Sequence, residues 1–282
     1  MKQWLLVLVA LGCLEAQAAN IGFWTQDEPS GNIIDSTGNH PQGVPTGTPA
    51  YGQPGVPNGT YGSINVANAI GNAIGYGPST ADQFFTVGTD NNNPVMNLDN
   101  TGAFTVMGWI NPNAPTIAST YRFLSTGSAA GADRGWGVGL RLPTAGSGTG
   151  ASIRFTSYGI LDNDSSTFNV TFGSWMHVAV TYNNGAINYF LNGNALDSDT
   201  SVFGNESANG RLVIGGRLGA NDVDQMNGLV DGIRVYDTVL TLPEIQSAAA
   251  ASVSGVPEPS TYLLAALGAL SLLGLRRRVQ KT

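Results

Sequence analysis

Trp175-Met176-His177-Val178-Ala179-Val180-Thr181-Tyr182-Asn183-Asn184-Gly185 is the stretch that decides the architecture of this chain. Its residues alternate, with Met176, Val178, Val180 and Tyr182 on one side, the period of a strand with one buried face. Asn184-Gly185 then supplies the two positive-φ residues that a tight hairpin turn demands. Residues 186–191 should therefore return as a second strand, and Asn192-Gly193 offers another turn straight after it. This is the grammar of an antiparallel sheet.

The same pattern extends in both directions. Upstream, residues 104–110, 121–125, 136–142 and 152–158 read as strands at the spacing of a sandwich, separated by Gly/Asn/Ser turns. Downstream, 212–215 and 229–236 complete the strand set. Thr241-Leu242-Pro243-Glu244 is a capping box that opens one short helix over 245–251. Residues 40–62 hold five prolines among frequent glycines and should be loop.

Composition agrees. Charged residues are 11% of the chain, against about 25% in an ordinary soluble domain. Between residues 20 and 256 stand seven arginines, no lysine and seventeen acids, a formal charge of 7 − 17 = −10. A surface this acidic excludes nucleic acid as a partner, because phosphate contacts need cationic side chains. It suits divalent cations and neutral polymers. The single cysteine, Cys13, lies in the N-terminal leader, so the domain has no disulfide, no thiol nucleophile and no cysteine-ligated metal.

Both ends read as addresses. Met1-Lys2-Gln3, an apolar run over 4–12 and Ala16-Gln17-Ala18 form a signal peptide over residues 1–19. At the other end, residues 252–282 hold a linker, Val256-Pro257-Glu258-Pro259-Ser260, an apolar helix over 261–275 and then Arg276-Arg277-Arg278. The fully apolar part, 262–275, spans roughly 21 Å as a helix at about 1.5 Å per residue. That is short of the roughly 30 Å hydrocarbon core, a gap that flanking residues and snorkelling arginines narrow. The three arginines belong on the cytoplasmic side, which leaves the rest of the chain outside. This tail resembles the PEP-CTERM sorting signal of Gram-negative bacteria. The resemblance implies a transient anchor in the inner membrane, processing near Pro257, Glu258 and Pro259 by an exosortase-type enzyme, and delivery to the cell surface or extracellular matrix.

Residues 20–251 also resemble a known family. Phe104-Thr105-Val106-Met107-Gly108-Trp109-Ile110-Asn111-Pro112, the Trp175–Tyr182 strand, Asn188-Tyr189-Phe190-Leu191-Asn192-Gly193, Leu212-Val213-Ile214-Gly215-Gly216, the stretch 227–236 and Leu240-Thr241-Leu242-Pro243-Glu244-Ile245 follow one another as in laminin G-like, concanavalin A-like domains. The match is best over 103–250. Asp35-Ser36-Thr37-Gly38-Asn39-His40 resembles the family's entry motif more loosely. The resemblance implies an all-β fold, a jelly-roll sandwich of two antiparallel sheets. Such folds often carry a structural Ca²⁺ and bind glycans or proteins.

From the resemblance, Asp35 and Asp231 are the expected carboxylate ligands of Ca²⁺, with Asn39 adding an oxygen. The bland alternative is an Asx-turn at Asp35 and, for Asp231, a bond to Arg234 or a backbone N–H. Three D-x-D pairs, Asp162/Asp164, Asp197/Asp199 and Asp222/Asp224, have the chemistry for acid–nucleophile work, but all lie in Asn/Ser/Gly loops where solvated acids are common. Trp136 and Tyr158 are candidate stacking platforms for a sugar ring. Arg141 and Arg154 are candidate forked donors to hydroxyls or uronic carboxylates; for Trp136 burial between the sheets is the competing reading. Two separated histidines without cysteine argue against a zinc site or a Ser/His/Asp triad. The expected function is non-catalytic adhesion to extracellular polysaccharide, with a matrix-protein interaction module as the alternative and a polysaccharide hydrolase or lyase third.

Overall fold

A computed structural model describes residues 20–77, 82–88, 102–127, 135–200, 211–218 and 224–251. The signal peptide and the tail from 252 onward, including Pro257, Glu258, Pro259 and the apolar helix, lie outside the described residues. Among the described residues no helix is long and apolar enough to cross a membrane.

The chain enters through β1 (Asn20–Trp24) and then crosses between two sheets with β2 (Gly43–Thr46), β3 (Ala50–Pro54), a small hairpin of β4 (Gly59–Tyr61) and β5 (Ile64–Val66), β6 (Asn72–Tyr76) and β7 (Phe84–Val87). The long strands follow: β8 (Ala103–Pro112), β9 (Ser119–Gly127), β10 (Trp136–Leu142), β11 (Ser152–Ser157), β12 (Leu161–Asp164), β13 (Met176–Asn183), β14 (Ala186–Leu191), β15 (Asn194–Thr200), β16 (Arg211–Ile214) and β17 (Gly228–Tyr236). The helix α1 (Leu242–Ala250) closes the domain. One sheet has eight strands, in the order β15-β14-β13-β8-β17-β6-β3 with β1 also on β17; the second has seven, in the order β12-β11-β10-β9-β16-β7-β2. Every pairing is antiparallel, as a jelly-roll sandwich requires.

The two turns expected from Asn-Gly dipeptides form. Asn184 and Gly185 take φ 46° and 101°, Asn192 and Gly193 take φ 50° and 70°, and β13 pairs β14 from Val178↔Leu191 to Asn183↔Ala186. The alternation of β13 comes out as its period dictates. Met176, Val178, Val180 and Tyr182 face the space between the sheets, with Phe104, Trp136, Phe155, Tyr189 and Val230 among their companions in the main core.

The Pro/Gly-rich segment departs from the loop expected over 40–62. It contributes β2 and β3, each the last strand of its sheet, and the β4–β5 hairpin. Pro45 and Pro54 are tolerated because an end strand has one side without ladder bonds, where a missing N–H costs nothing. At α1, the Glu244 carboxylate accepts from both the Thr241 N–H and its hydroxyl, each at 2.7 Å.

The outer face of the eight-stranded sheet is covered. Trp109, on β8, packs with Val56, Ile64, Val66, Ile70 and Ala249, and its Nε1–H donates to the Ala249 carbonyl at 3.0 Å. Next to it Met107, Ala179, Phe190 and Tyr236 pack under Leu240 and Ile245 of the closing segment. Helix α1 and residues 54–70 thus form a third layer over this sheet. The seven-stranded sheet carries no such apolar cover among the described residues.

Candidate functional site

The outer face of the seven-stranded sheet is built from the strand period; it is polar, buried at Arg122 and Thr156 and exposed toward Arg141 and Asp162. Along β10, Trp136, Val138, Leu140 and Leu142 point into the core, which leaves Gly137, Gly139 and Arg141 outward. Register places Arg122 on β9, Gly139, Arg154 on β11 and Asp164 on β12 in one row across four strands. The neighbouring row holds Gly137, Thr156 and Asp162.

Hydrogen bonds run along these rows. Arg154 grips Asp164 with both arms of its fork, Nε to Oδ1 at 2.7 Å and Nη2 to Oδ2 at 2.8 Å, while Nη1 reaches Asp162 at 2.8 Å. The Asp164 bonds hold the guanidinium pKa above its ordinary value. Arg141 Nε stands 3.5 Å from Asp164. Thr156 donates its hydroxyl to Asp162 at 2.6 Å and accepts from Arg122 Nη2 at 2.8 Å. Beyond Arg122, Asp224 bridges to Arg217: Arg122 Nε is 3.4 Å from one carboxylate oxygen and Arg217 Nη1 is 3.3 Å from the other. Both guanidiniums lie over the Tyr158 ring, at 5.1 Å and 4.1 Å from its centroid. Burial raises the Tyr158 pKa against the pull of these two cations, so its hydroxyl is a neutral donor.

Of the residues expected to meet a sugar, Arg141, Arg154 and Tyr158 share this face. Trp136 does not. It is 1% exposed and stacks on Phe104 at 5.5 Å and Phe155 at 6.5 Å in the core. With odd-numbered neighbours outward and even-numbered ones inward, the pleat of β10 leaves it no face for a ligand. Arg154 is less available than expected, since its fork is engaged by Asp162 and Asp164. Sequence reading missed Arg122 and Arg217. Arg122 sits in an apolar strand without a motif around it, and Arg217 reaches Tyr158 only through the fold.

The acidic pairs are also spoken for. Asp197 accepts from the Ser166 N–H and hydroxyl at 2.5 and 2.7 Å, bonds that hold its pKa below the usual carboxylate range. Asp199 accepts from Asn163 at 2.8 Å. Asp222 lies outside the described residues.

The expected metal ligands separate. Asp35 is 4% exposed, and its two oxygens accept from five donors: the N–H groups of Phe23, Thr37, Asn39 and His40 and the Thr37 hydroxyl, at 2.6 to 3.0 Å. A cation there would have to displace bonds that shape the turn, so the Asx-type reading replaces the metal one. Asn39 spends its side-chain amide on the Ile21 carbonyl at 3.2 Å. Asp231 is different. It is fully buried, its Oδ1 has no hydrogen-bond partner, and its Oδ2 accepts the Val56 N–H at 3.3 Å. Burial pushes its pKa well above the usual range, and the negative charge of Asp27 adds to the rise. A Cβ placed on Gly55 would meet the Ile70 carbonyl at 2.0 Å, the Gly71 carbonyl at 2.6 Å and Asp231 Oδ2 at 2.9 Å. The Ile70 and Gly71 carbonyls and Asp231 Oδ2 therefore crowd against Gly55, where only a residue without a side chain fits. Of the three expected ligands, Asp231 alone keeps an unpartnered oxygen, whereas Asp35 is committed to its own turn and Asn39 to the Ile21 carbonyl. Among the described residues no three His, Cys, Asp or Glu side chains group as metal ligands, so backbone oxygens would have to complete any site.

The fold and this open face define a lectin-type class: a two-sheet jelly roll with one outer face sealed and the other polar. Within that class, the chain belongs to the concanavalin A-like lectin/glucanases superfamily, whose family profile matches residues 79–246. A PEP-CTERM protein-sorting motif matches residues 255–278, which marks an exported protein sorted to the bacterial envelope or surface. No curated protein matches. Among solved structures, the fold is similar to domain 4 of AbnA, a GH43 extracellular arabinanase from Geobacillus stearothermophilus, in complex with arabinotriose (20% identity, 83% of this chain, 99% of that one, TM-score 0.52). It is also similar to the binding domain of botulinum neurotoxin DC in complex with SialylT (14% identity, 81% of this chain, 50% of that one, TM-score 0.52). A Trypanosoma rangeli sialidase is a third (13% identity, 80% and 32%, TM-score 0.53). The chain thus spans half of the neurotoxin domain and a third of the sialidase. At these identities the likeness is one of fold.

Proposed function

We propose that this protein is a non-catalytic, surface- or matrix-sorted binder of extracellular polysaccharide, and that the sugar lies on the outer face of the seven-stranded sheet. One observation carries the reading: that face is a polar ladder of Arg122, Arg141, Arg154, Thr156, Asp162 and Asp164 over a glycine floor. Hydroxyl-rich polymers are recognised by such rows of paired donors and acceptors, because each hydroxyl both gives and takes a hydrogen bond. The arabinotriose and SialylT complexes of proteins with this fold support the ligand class. The non-catalytic part is supported by Asp162 and Asp164, both held by Arg154, which leaves neither as a free acid or nucleophile.

Calcium is part of the proposal. Asp231, with the Ile70 and Gly71 carbonyls and Asp27 nearby, would hold it, and its charge would offset the buried Asp231 carboxylate. Its place is under residues 54–71, so its role would be to pin that covering segment. The sorting motif adds an exosortase-type enzyme as a processing partner and the inner membrane as a transient anchor.

Co-sedimentation of the purified protein with matrix polysaccharide, in calcium and then in EDTA, tests both parts. Pelleting that fades in EDTA is the expected result. Pelleting in both conditions would keep the glycan and remove the metal. A folded protein that pellets in neither would shift the assignment to a matrix-protein partner.

A further inference from the structure

Four strands end the two sheet orders: β3 and β15 in one, β2 and β12 in the other. A last strand offers its unused N–H and C=O groups to any further strand that arrives. β2 is blocked by Pro45, which has no N–H, and by Gly43, whose N–H and C=O are both bonded to Ile33, at 2.8 and 3.0 Å. β3 carries Pro54 and an irregular register between Ala50 and Gln53. β12 has only four residues. β15 has seven, without proline or glycine, and every one is at least partly exposed. A bulge at Leu196 interrupts its ladder, yet residues 197–200 run in register against 186–189.

The ladder fixes which groups of β15 face outward. The Asn192 N–H donates to the His177 carbonyl at 2.8 Å. With the β13–β14 register, this assigns the backbone bonds of Ala186, Asn188 and Phe190 to β13 and those of Ile187 and Tyr189 to β15. Their partners Asp199 and Asp197 are therefore bonded inward, and the N–H groups of Ser198 and Thr200 point away from the sheet. Both are occupied from within the strand. Asp197 Oδ1 accepts the Ser198 N–H at 2.8 Å, and Asp199 Oδ1 accepts the Thr200 N–H at 2.7 Å. The second oxygen of each carboxylate holds the facing edge of the other sheet, Asp197 Oδ2 at Ser166 and Asp199 Oδ2 at Asn163. Asn163 Nδ2 also donates to the Thr200 carbonyl at 3.2 Å, so an outward C=O is covered as well.

We infer that Asp197 and Asp199 cap this edge and keep the chain monomeric, and that the edge without its caps takes a second copy of the chain, β15 against β15. Outward N–H groups recur every second residue along a strand, so a D-x-D spacing sets one carboxylate beside each of two successive donors. That gives the Asp197/Asp199 pair a task other than acid–base chemistry. Antiparallel pairing of two identical edges about a two-fold axis is self-complementary, since each edge supplies what the other lacks. The caps oppose it in two ways. They occupy the N–H groups that an arriving strand needs. They also set charge against charge: with the axis at Ser198, Asp197 of each copy stands opposite Asp199 of the other, and like charges directly opposite destabilise a strand pair. The capping is independent of what the polar face binds.

The test is sedimentation velocity of the purified protein over a concentration series, wild type beside the double variant Asp197→Ala/Asp199→Ala. Wild type should keep the mass of one chain throughout, and the double variant should climb toward two chains as concentration rises. Adding Ser198→Pro removes the outward N–H at the centre of the pairing and leaves the inward ladder bonds in place; it should return the variant to one chain. In dilute solution, amide exchange at Ser198 and Thr200 should quicken about tenfold when the caps are removed. A double variant that folds and stays monomeric at every concentration would overturn the inference, and so would unchanged exchange at the two amides. Association that survives Ser198→Pro would place the contact away from this edge and overturn it too. Wild type that already associates would show that the caps do not keep the chain monomeric. If the double variant does not fold, Asp199→Ala alone carries the test through the Thr200 amide.

Discussion

The two outer faces of the sandwich are made by the same strand period and put to opposite uses. On the eight-stranded sheet the outward positions are Met107, Trp109, His177, Ala179 and Phe190, sealed under α1 and residues 54–70. On the seven-stranded sheet they are Arg122, Gly137, Gly139, Arg141, Arg154 and Thr156, with no apolar layer above them among the described residues. The first face contributes to folding through area removed from water. The second contributes little at its exposed end, where ion pairs such as Arg141–Asp164 are worth roughly 0–1 kcal/mol, and holds a buried polar network around Arg122 at the other. One sheet therefore stabilises the domain on both sides, while the other holds its inner side to the core and presents its outer side.

That contrast can be broken by mutation. Trp109→Ala should be the most damaging change: it removes a buried indole and its bond to Ala249, and costs about 3–5 kcal/mol by denaturant unfolding. A loss under 1 kcal/mol would mean that the covering layer is not packed as described.

Calcium sharpens the same face. At a hundredfold excess over its dissociation constant it should add about 2.7 kcal/mol to unfolding stability, and Asp231→Asn should abolish that gain while remaining folded. Equal thermal midpoints for the wild-type protein in calcium and EDTA would remove the metal from the covered face.

His177 reports on the cover through pH. It is fully buried against Trp109, at 5.1 Å between ring centroids, and burial, helped by the Arg234 charge, lowers its pKa from 6.5 to about 3. The unfolded chain takes up a proton near pH 6.5 that the folded one refuses. The contribution is therefore complete above pH 6.5 and is lost as pH falls, by about 1.4 kcal/mol per unit for one proton. Between pH 6.5 and 5 the stability of His177→Phe should fall less steeply than wild type by that slope. Parallel pH profiles would show His177 titrating normally and the cover open to water.

The smallest effect belongs to the open face. Arg141, whose side chain is 38% exposed beside Asp164, should cost under about 1 kcal/mol when changed to Ala, yet weaken pelleting with polysaccharide. Unchanged pelleting would confine the ligand to the Arg122 end of the row.

The long central strands were legible because hydrophobic alternation and Asn-Gly turns are local. Residues 104–110, 136–142, 176–182 and 186–191 each state their own period. The short flanking strands β1, β6, β7, β12 and β15 were not read, because four to seven residues of mixed composition gain their strand character only from a neighbour's ladder. β2 and β3 were hidden by their prolines for the related reason that only an end position tolerates them. The candidate site was half legible. Arg141, Arg154 and Tyr158 could be picked out for their chemistry, whereas for Trp136 sugar stacking and burial between the sheets both stood open until the parity of its strand was fixed by the fold.

By itself the sequence determined an exported, cysteine-free, acidic all-β domain with a sorting tail, since composition, turn dipeptides and terminal signals act over a few residues each. It also determined which side chains of each long strand share a face. Only the tertiary structure decided which of those faces is packed under an apolar layer and which is polar. It spent Asp35 on its own turn and left Asp231 with an unpaired oxygen, and it brought Arg122, Tyr158 and Arg217 together over Gly137. Those outcomes depend on strand register and on what packs above each sheet, and both are fixed by contacts between residues far apart in the chain.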